Sequence, residues 1–271
     1  MMETTTTFNK KRPSWKWILV FVTSAFLGMG GYTVLQVLAL NYASPLIIVI
    51  ATAVILGLYA LGVKLLEGHW PHDLGMGKLM PHTFTGLLVG FVFMTLVVST
   101  IVATGCATIN SQAFTWGELV RPFMLYLTVA VGEEMVFRGI LFRQVDERWN
   151  TGIALIVSAL VFGLIHLPNQ GATMWSSLAI AIEAGLMLAA AYKWSGTLWV
   201  PIGIHWAWNF TQGNVFGLAV SGICFGDTML TTTVNGPDII TGGAFGPEAS
   251  IIAVIFGTVI TLIFLCNRYR S

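Results

Sequence analysis

The stretch Val129-Ala130-Val131-Gly132-Glu133-Glu134-Met135-Val136-Phe137-Arg138-Gly139-Ile140-Leu141-Phe142 places two carboxylates and a guanidinium inside an otherwise apolar run. On a helix this is cheap in water and expensive in lipid, where a charged side chain at the bilayer centre costs about 3 kcal/mol even on lenient insertion scales. Composition decides which solvent applies. Hydrophobic residues make up 56% of the 271 positions and charged residues only 9%. The mean hydropathy is +0.80, and apolar runs long enough to span a bilayer recur along the chain. The expected class is all-α: a polytopic membrane protein with about eight transmembrane helices in one bundle, since each span needs about 20 residues.

The spans are expected at 17–40, 44–66, 83–107, 119–145, 151–167, 174–193, 197–222 and 249–266. Residues 1–16 read as a cytoplasmic tail, 17–118 as the amino-terminal transmembrane helices, and 119–271 as the core where the ionisable residues gather. The run 17–40 follows Lys10, Lys11, Arg12 and Lys16, yet it is too long for a signal-peptide core and ends without a small-x-small cleavage site, so it is read as a retained span. Alternation from a cytoplasmic amino terminus puts those four residues, Lys64, Lys78, Arg138, Arg143, Arg148, Lys193, Arg268 and Arg270 on the cytoplasmic side and leaves Arg121 opposite. That bias places both termini in the cytoplasm and makes this a multi-pass protein of the cell membrane, of prokaryotic plasma-membrane type.

The lipid bilayer is thus one expected partner and nucleic acid is not, because no basic stripe exists away from the span flanks. Cys106, Cys224 and Cys266 are too dispersed for a disulfide framework or a metal knuckle and read as packing residues. His69 and His72, in a Pro- and Gly-bearing loop, read as interfacial rather than as a metal pair. The segment 225–249, rich in Gly and with two Pro, reads as an outer cap.

Two further apolar segments carry ionisable or amide side chains, Phe162-Gly163-Leu164-Ile165-His166 and His205-Trp206-Ala207-Trp208-Asn209. Glu134 and Arg138, four apart, share a helix face and can neutralise each other in a low dielectric. Glu133 points about 100° away from Glu134 and is left for a different cavity. His166 lies one turn after Phe162, and Asn209 one turn after His205, so each motif presents two side chains to one face. A water between Glu133 and His166 could be deprotonated to attack a carbonyl, with His205 and Asn209 donating to the oxyanion. Each element also has a plainer reading. The ion pair could be a staple or part of a transport pathway, each histidine a hydrogen-bonded packing residue, and Asn209 a bridge between helices. Glu183, alone in the apolar run 178–192, could line the same cavity, support Arg138, or be a neutral carboxyl bonded to a neighbouring helix.

In order and spacing the three motifs resemble those of the CPBP (CAAX protease and bacteriocin-processing, or Abi) intramembrane proteases. Leu74-Gly75-Met76 resembles the short Leu-Gly-Leu element ahead of that family's core, and Thr197-Leu198-Trp199-Val200-Pro201 its lead-in to the last motif. The resemblance is specific over 119–215 and general before it. It implies an eight-helix membrane endopeptidase whose site opens to the cytoplasm and whose substrate is a membrane-associated protein or peptide. By the same resemblance Glu133 is the base, His166 its partner on the water, His205 with Asn209 the oxyanion site, and Glu134, Arg138 and Phe162 their support. Glu133, His166 and His205 could also supply a His2Glu zinc set. The same residues suffice without an ion, so no cofactor is expected to be required, with zinc the alternative. A non-catalytic immunity factor or scaffold is the competing function, and a transporter a more distant one, disfavoured because no matching Gly- or Pro-broken spans occur in two related halves.

Overall fold

The computed structural model describes residues 44–267. The expected tail, the span 17–40, the basic cluster from Lys10 to Lys16, Arg268, Arg270 and hence both termini lie outside the described residues. What is described is mostly helical and membrane-embedded in character. Three helices, Pro45–Glu67, Met76–Ala103 and Met174–Ser195, are long and apolar enough to cross a membrane, and Thr151–Leu164 and Ile251–Cys266 are shorter apolar helices.

Helix α1 (Pro45–Glu67) starts on a proline, whose missing N–H is no loss in a first turn, and ends at Gly68 with φ 85°, whose N–H caps the Lys64 carbonyl. Helix α2 (Leu79–Ala103) begins four residues before the expected 83, because a 3-10 turn at Met76–Lys78 feeds directly into it. It also stops short of 107, at a turn through Gly105 with φ 76°. The chain then enters a strand, β1 (Ala107–Ser111), that pairs antiparallel with β2 (Leu230–Val234). This small sheet is the departure from the all-α expectation, and it joins loops from two distant parts of the sequence.

Helix α3 (Trp116–Glu134) passes through a π-helical stretch, Met135–Phe142, into α4 (Arg143–Arg148). Its start is fixed by the Thr115 N–H donating to Glu118 Oε2 at 2.8 Å. Helix α5 (Thr151–Leu164) is capped by Asn150, whose side chain accepts from the Ile153 N–H at 3.0 Å. Helix α6 (Met174–Ile180) continues through a second π-helical stretch, Ala181–Leu186, into α7 (Met187–Ser195). Helix α8 (Trp199–Phe210) ends in a third, Thr211–Val215, so the expected span to 222 is cut short and 216–222 is loop. After a short turn α9 (Asp238–Thr241), α10 (Ile251–Cys266) closes the bundle. Periodicity alone does not reveal the π-helical stretches, because one extra residue per turn leaves the apolar content unchanged.

Packing is tightest where small residues let backbones touch. A Cβ on Gly86 would stand 2.2 Å from the Val200 carbonyl oxygen, one on Gly90 2.2 Å from that of Ile204, and one on Gly203 2.5 Å from that of Thr83. Lipid tails give helices no hydrophobic drive to associate, so close contact of this kind carries the pairing of α2 with α8. Outward, Leu46, Val49, Ile50, Val54, Leu58 and Leu61 of α1 are exposed, as are Ile255, Val259 and Leu262 of α10. An apolar belt of this extent suits hydrocarbon and would aggregate in water. A direct test is at hand: Gly90→Ala should destabilise by about 1–3 kcal/mol through overpacking. Gly57→Ala, with nothing within 4 Å of its added Cβ, should instead gain up to about 1 kcal/mol of helix propensity. Melting temperatures in detergent that move in the same direction for both would refute the close-contact account.

Candidate active site

The α2–α8 contact carries His205 and Asn209 into the bundle interior, and the long helix built from α3 and α4 brings the acidic pair to meet them. Arg138 and Glu134 are both fully buried, with the guanidinium Nη1 2.8 Å from Oε1. The other Nη donates to the carbonyls of Gly185 at 3.2 Å and Ala184 at 3.4 Å. Both acceptors lie in the π-helical stretch Ala181–Leu186, where the ordinary i to i+4 ladder is interrupted. The guanidinium carbon sits 4.6 Å from the centroid of Phe162, a cation–π contact. Phe162 therefore supports Arg138 as well as standing beside His166, whose ring is 4.9 Å away.

Both imidazoles are held through Nδ1. His166 Nδ1 is 2.7 Å from the Phe162 carbonyl oxygen and His205 Nδ1 is 2.9 Å from Glu134 Oε1. A carbonyl and a carboxylate can only accept, so Nδ1 carries the proton in each ring and Nε2 is left for other partners. His205 Nε2 lies 3.9 Å from Glu133 Oε2, beyond a direct hydrogen bond but within electrostatic reach. Glu133, at 15% side-chain exposure, is more open than Glu134, at 0%. Asn209 is buried one turn beyond His205 on α8. The structure thus brings Glu133, Glu134, Arg138, Phe162, His166 and His205 together from three separate helices.

Glu183 is placed elsewhere. Its side chain is fully buried, and neither carboxylate oxygen has a hydrogen-bond partner among the described residues. It packs against α10, where a Cβ on Gly257 would stand 2.8 Å from its Cα. Arg138 is served by the carbonyls of the next two residues and not by the Glu183 carboxylate. Among the described residues no group of three or more His, Cys, Asp or Glu side chains is arranged to hold an ion. Glu133, His166 and His205 form no such group in this arrangement.

Several structural partners escape the sequence motifs. Asp73 accepts from the Tyr59 hydroxyl at 2.8 Å and the Tyr192 hydroxyl at 3.0 Å. Its carbonyl accepts from the Leu198 N–H at 3.0 Å, which pins the loop before Leu74-Gly75-Met76 to the start of α8. Burial raises the Asp73 carboxyl above the usual aspartate range against the lowering pull of those hydroxyls. At the other end Gln212, fully buried, bonds both Trp208 and Glu248. Gln212 follows His205 by seven residues, so helical spacing could have found it as a third member of that face. Glu248 and Asp73 had no local signal, since each reaches its partners across long stretches of chain.

A protein-family model described as type II CAAX prenyl endopeptidase Rce1-like matches residues 115–211, a segment that contains all three motifs. A Bacillus subtilis (strain 168) protein named "Uncharacterized protein YpbD" is 29% identical over 97 residues, 36% of this chain and 46% of that protein. Another from the same organism, "Putative membrane peptidase YdiL", is 28% identical over 103 residues, 37% of this chain and 40% of that protein. The chain thus spans less than half the length of the curated relatives it matches. No solved structure matches it significantly. Through the segment 115–211, where the matched family model and the three motifs coincide, the chain is similar to the type II CAAX prenyl endopeptidase Rce1-like family.

Proposed function

We propose that the protein is an intramembrane endopeptidase that hydrolyses a peptide bond of a membrane-associated protein or peptide, in the manner of CAAX processing, with no metal required. The observation that supports this most is the convergence of Glu133, Glu134, Arg138, His166 and His205 in a buried site, with both Nδ1 atoms committed and both Nε2 atoms left for water or substrate. Glu133 takes a proton from a water whose oxygen attacks the scissile carbonyl carbon, and His166 Nε2 orients that water by accepting its second hydrogen. The carbonyl π pair moves to oxygen, and the resulting oxyanion is stabilised by the Asn209 amide. His205 has its Nδ1–H committed to Glu134, so it donates from Nε2 only as the imidazolium, whereas Asn209 donates in every state. Collapse restores the carbonyl, breaks the C–N bond and passes the proton from Glu133 to the leaving amine.

The site opens toward the cytoplasmic side in this reading. Charge placement supports it: Arg143 pairs with Glu67 at 2.7 Å and Lys193 with Asp146 at 2.7 Å at one end of the bundle. Arg121 lies 5.2 Å from the Phe225 ring in the capping loop. Function is tested with the purified protein in lipid nanodiscs and membrane peptides ending in a CAAX sequence, with and without a prenyl group on the cysteine. Cleavage should occur, persist in a strong zinc chelator and vanish in Glu133→Gln. The metal-free account fails if chelation stops cleavage, zinc restores it, and about one zinc per chain is lost in His166→Ala and His205→Ala.

A further inference from the structure

Beyond the residues assigned above, one buried polar chain runs from the loop at Ser221 to Trp208, whose ring stands beside His205. Trp208 of α8, four residues before Gln212 in the π-helical stretch Thr211–Val215, donates its indole N–H to Gln212 Oε1 at 2.8 Å. The Gln212 amide nitrogen donates to the Ala219 carbonyl and to Glu248 Oε2. Glu248 Oε1 in turn accepts from the Ser221 hydroxyl at 2.8 Å and from the Ser221 N–H. Gln212 and Glu248 are completely buried.

Each link has one permitted direction. An indole N–H can only donate and a backbone carbonyl can only accept, so the amide of Gln212 cannot be flipped without losing both bonds. Ser221 has φ 48°, the one positive-φ residue other than glycine among the described residues. A side chain is held in that left-handed region only when its surroundings impose it. The two bonds to Glu248 are such an imposition, and the Gly222 N–H donating to the Phe245 carbonyl at 2.7 Å stitches the same two loops together.

The far end of the chain is the site. The Trp208 ring stands edge-on to Phe93 of α2 at 5.7 Å between centroids, and 5.9 Å from the His205 ring at an interplanar angle of 36°. His205 is therefore held at Nδ1 by Glu134 and backed by an indole whose rotation is set by Gln212. Apolar packing alone would fix the position of the indole plane loosely, whereas the directional N–H bond also fixes its rotation.

We infer that Gln212, oriented by Glu248, is a positioning residue for His205 and acts through the Trp208 indole. This inference rests on the peptidase reading for its kinetic consequence, but its structural content stands apart from it. Two conservative variants test it. Trp208→Phe keeps an aromatic ring and removes the N–H. Gln212→Met keeps the side-chain length and removes both polar ends. In purified protein each should lower kcat by about 10-fold at nearly unchanged KM, since the loss falls on the transition state and not on substrate binding. The double variant should lose no more than either single one, because both break the same link.

A second measurement is independent of turnover. In protein with 15N-labelled imidazoles, the His205 resonances, identified by their loss in His205→Gln, should shift in Trp208→Phe and Gln212→Met while those of His69 stay in place. Unchanged kcat per folded molecule with unmoved His205 resonances would overturn the inference, as would losses that multiply in the double variant. If the wild-type protein cleaves no membrane peptide, the peptidase reading is what fails, and the imidazole resonances still decide whether Gln212 positions His205.

Discussion

Glu133→Ala leaves no measurable peptide cleavage, while Asn209→Ala and His205→Ala keep a residual rate about 10² to 10³ lower than wild type. The difference follows from what each group supplies. Removing one oxyanion donor, the Asn209 amide or the His205 imidazolium, forfeits about 2.7–4 kcal/mol of transition-state stabilisation and leaves the nucleophile in place. Removing the base leaves the water without a proton acceptor, and among the described residues no other carboxylate of the site is uncommitted enough to replace it. Glu134 is committed to Arg138 at 2.8 Å and to His205 at 2.9 Å. Asn209 is the sharper probe of the pair, because an amide donates a hydrogen bond well and binds zinc poorly. The measurement is single-turnover cleavage by protein shown to be folded by its melting profile. A rate for Glu133→Ala as high as that for Asn209→Ala would remove Glu133 from the role of base.

Arg138→Ala loses most of its folded population in detergent, with a destabilisation of about 3–5 kcal/mol, because it strands Glu134 as a buried charge. Three further contacts go with it: the carbonyls of Ala184 and Gly185 lose their donor, and Phe162 loses the cation over its face. Arg138→Lys should recover part of this and not all, since an ammonium cannot span the carboxylate and the two carbonyls with a planar fork. Glu134→Gln keeps an acceptor for His205 but discards the charge opposite Arg138, so it should lose both stability and rate. That outcome would add the holding of His205 to the supporting role expected for the pair. Glu133→Gln, at the more open position, should melt near wild type. Thermal melts of the four variants decide the matter, and equal midpoints for Arg138→Ala and Glu133→Gln would remove the division of labour between the two glutamates.

Much of the site was legible because its parts are local. Glu134 and Arg138 pair across four residues as helical spacing requires, and so do the Phe162 carbonyl and His166 Nδ1. The membrane character was equally legible, since it follows from apolar content summed over long runs. Span ends were read less well. Expected helix to 107 gives way to β1, and expected helix to 222 gives way to loop after Val215. Cross-strand pairing between 107–111 and 230–234 has no signature in either segment alone.

What the amino-acid sequence determined by itself was the solvent, the helical class and the identity of the side chains able to do acid–base chemistry, because burial preference and helical periodicity are properties of neighbouring residues. The tertiary structure decided which of those side chains meet. It tied His205 to Glu134, set Glu183 against α10, and drew Asp73, Gln212 and Glu248 into networks spanning up to 119 residues of chain. These links depend on the close approach of glycine-faced helices and on carbonyls released by π-helical turns, and such geometry is fixed only when the whole bundle packs.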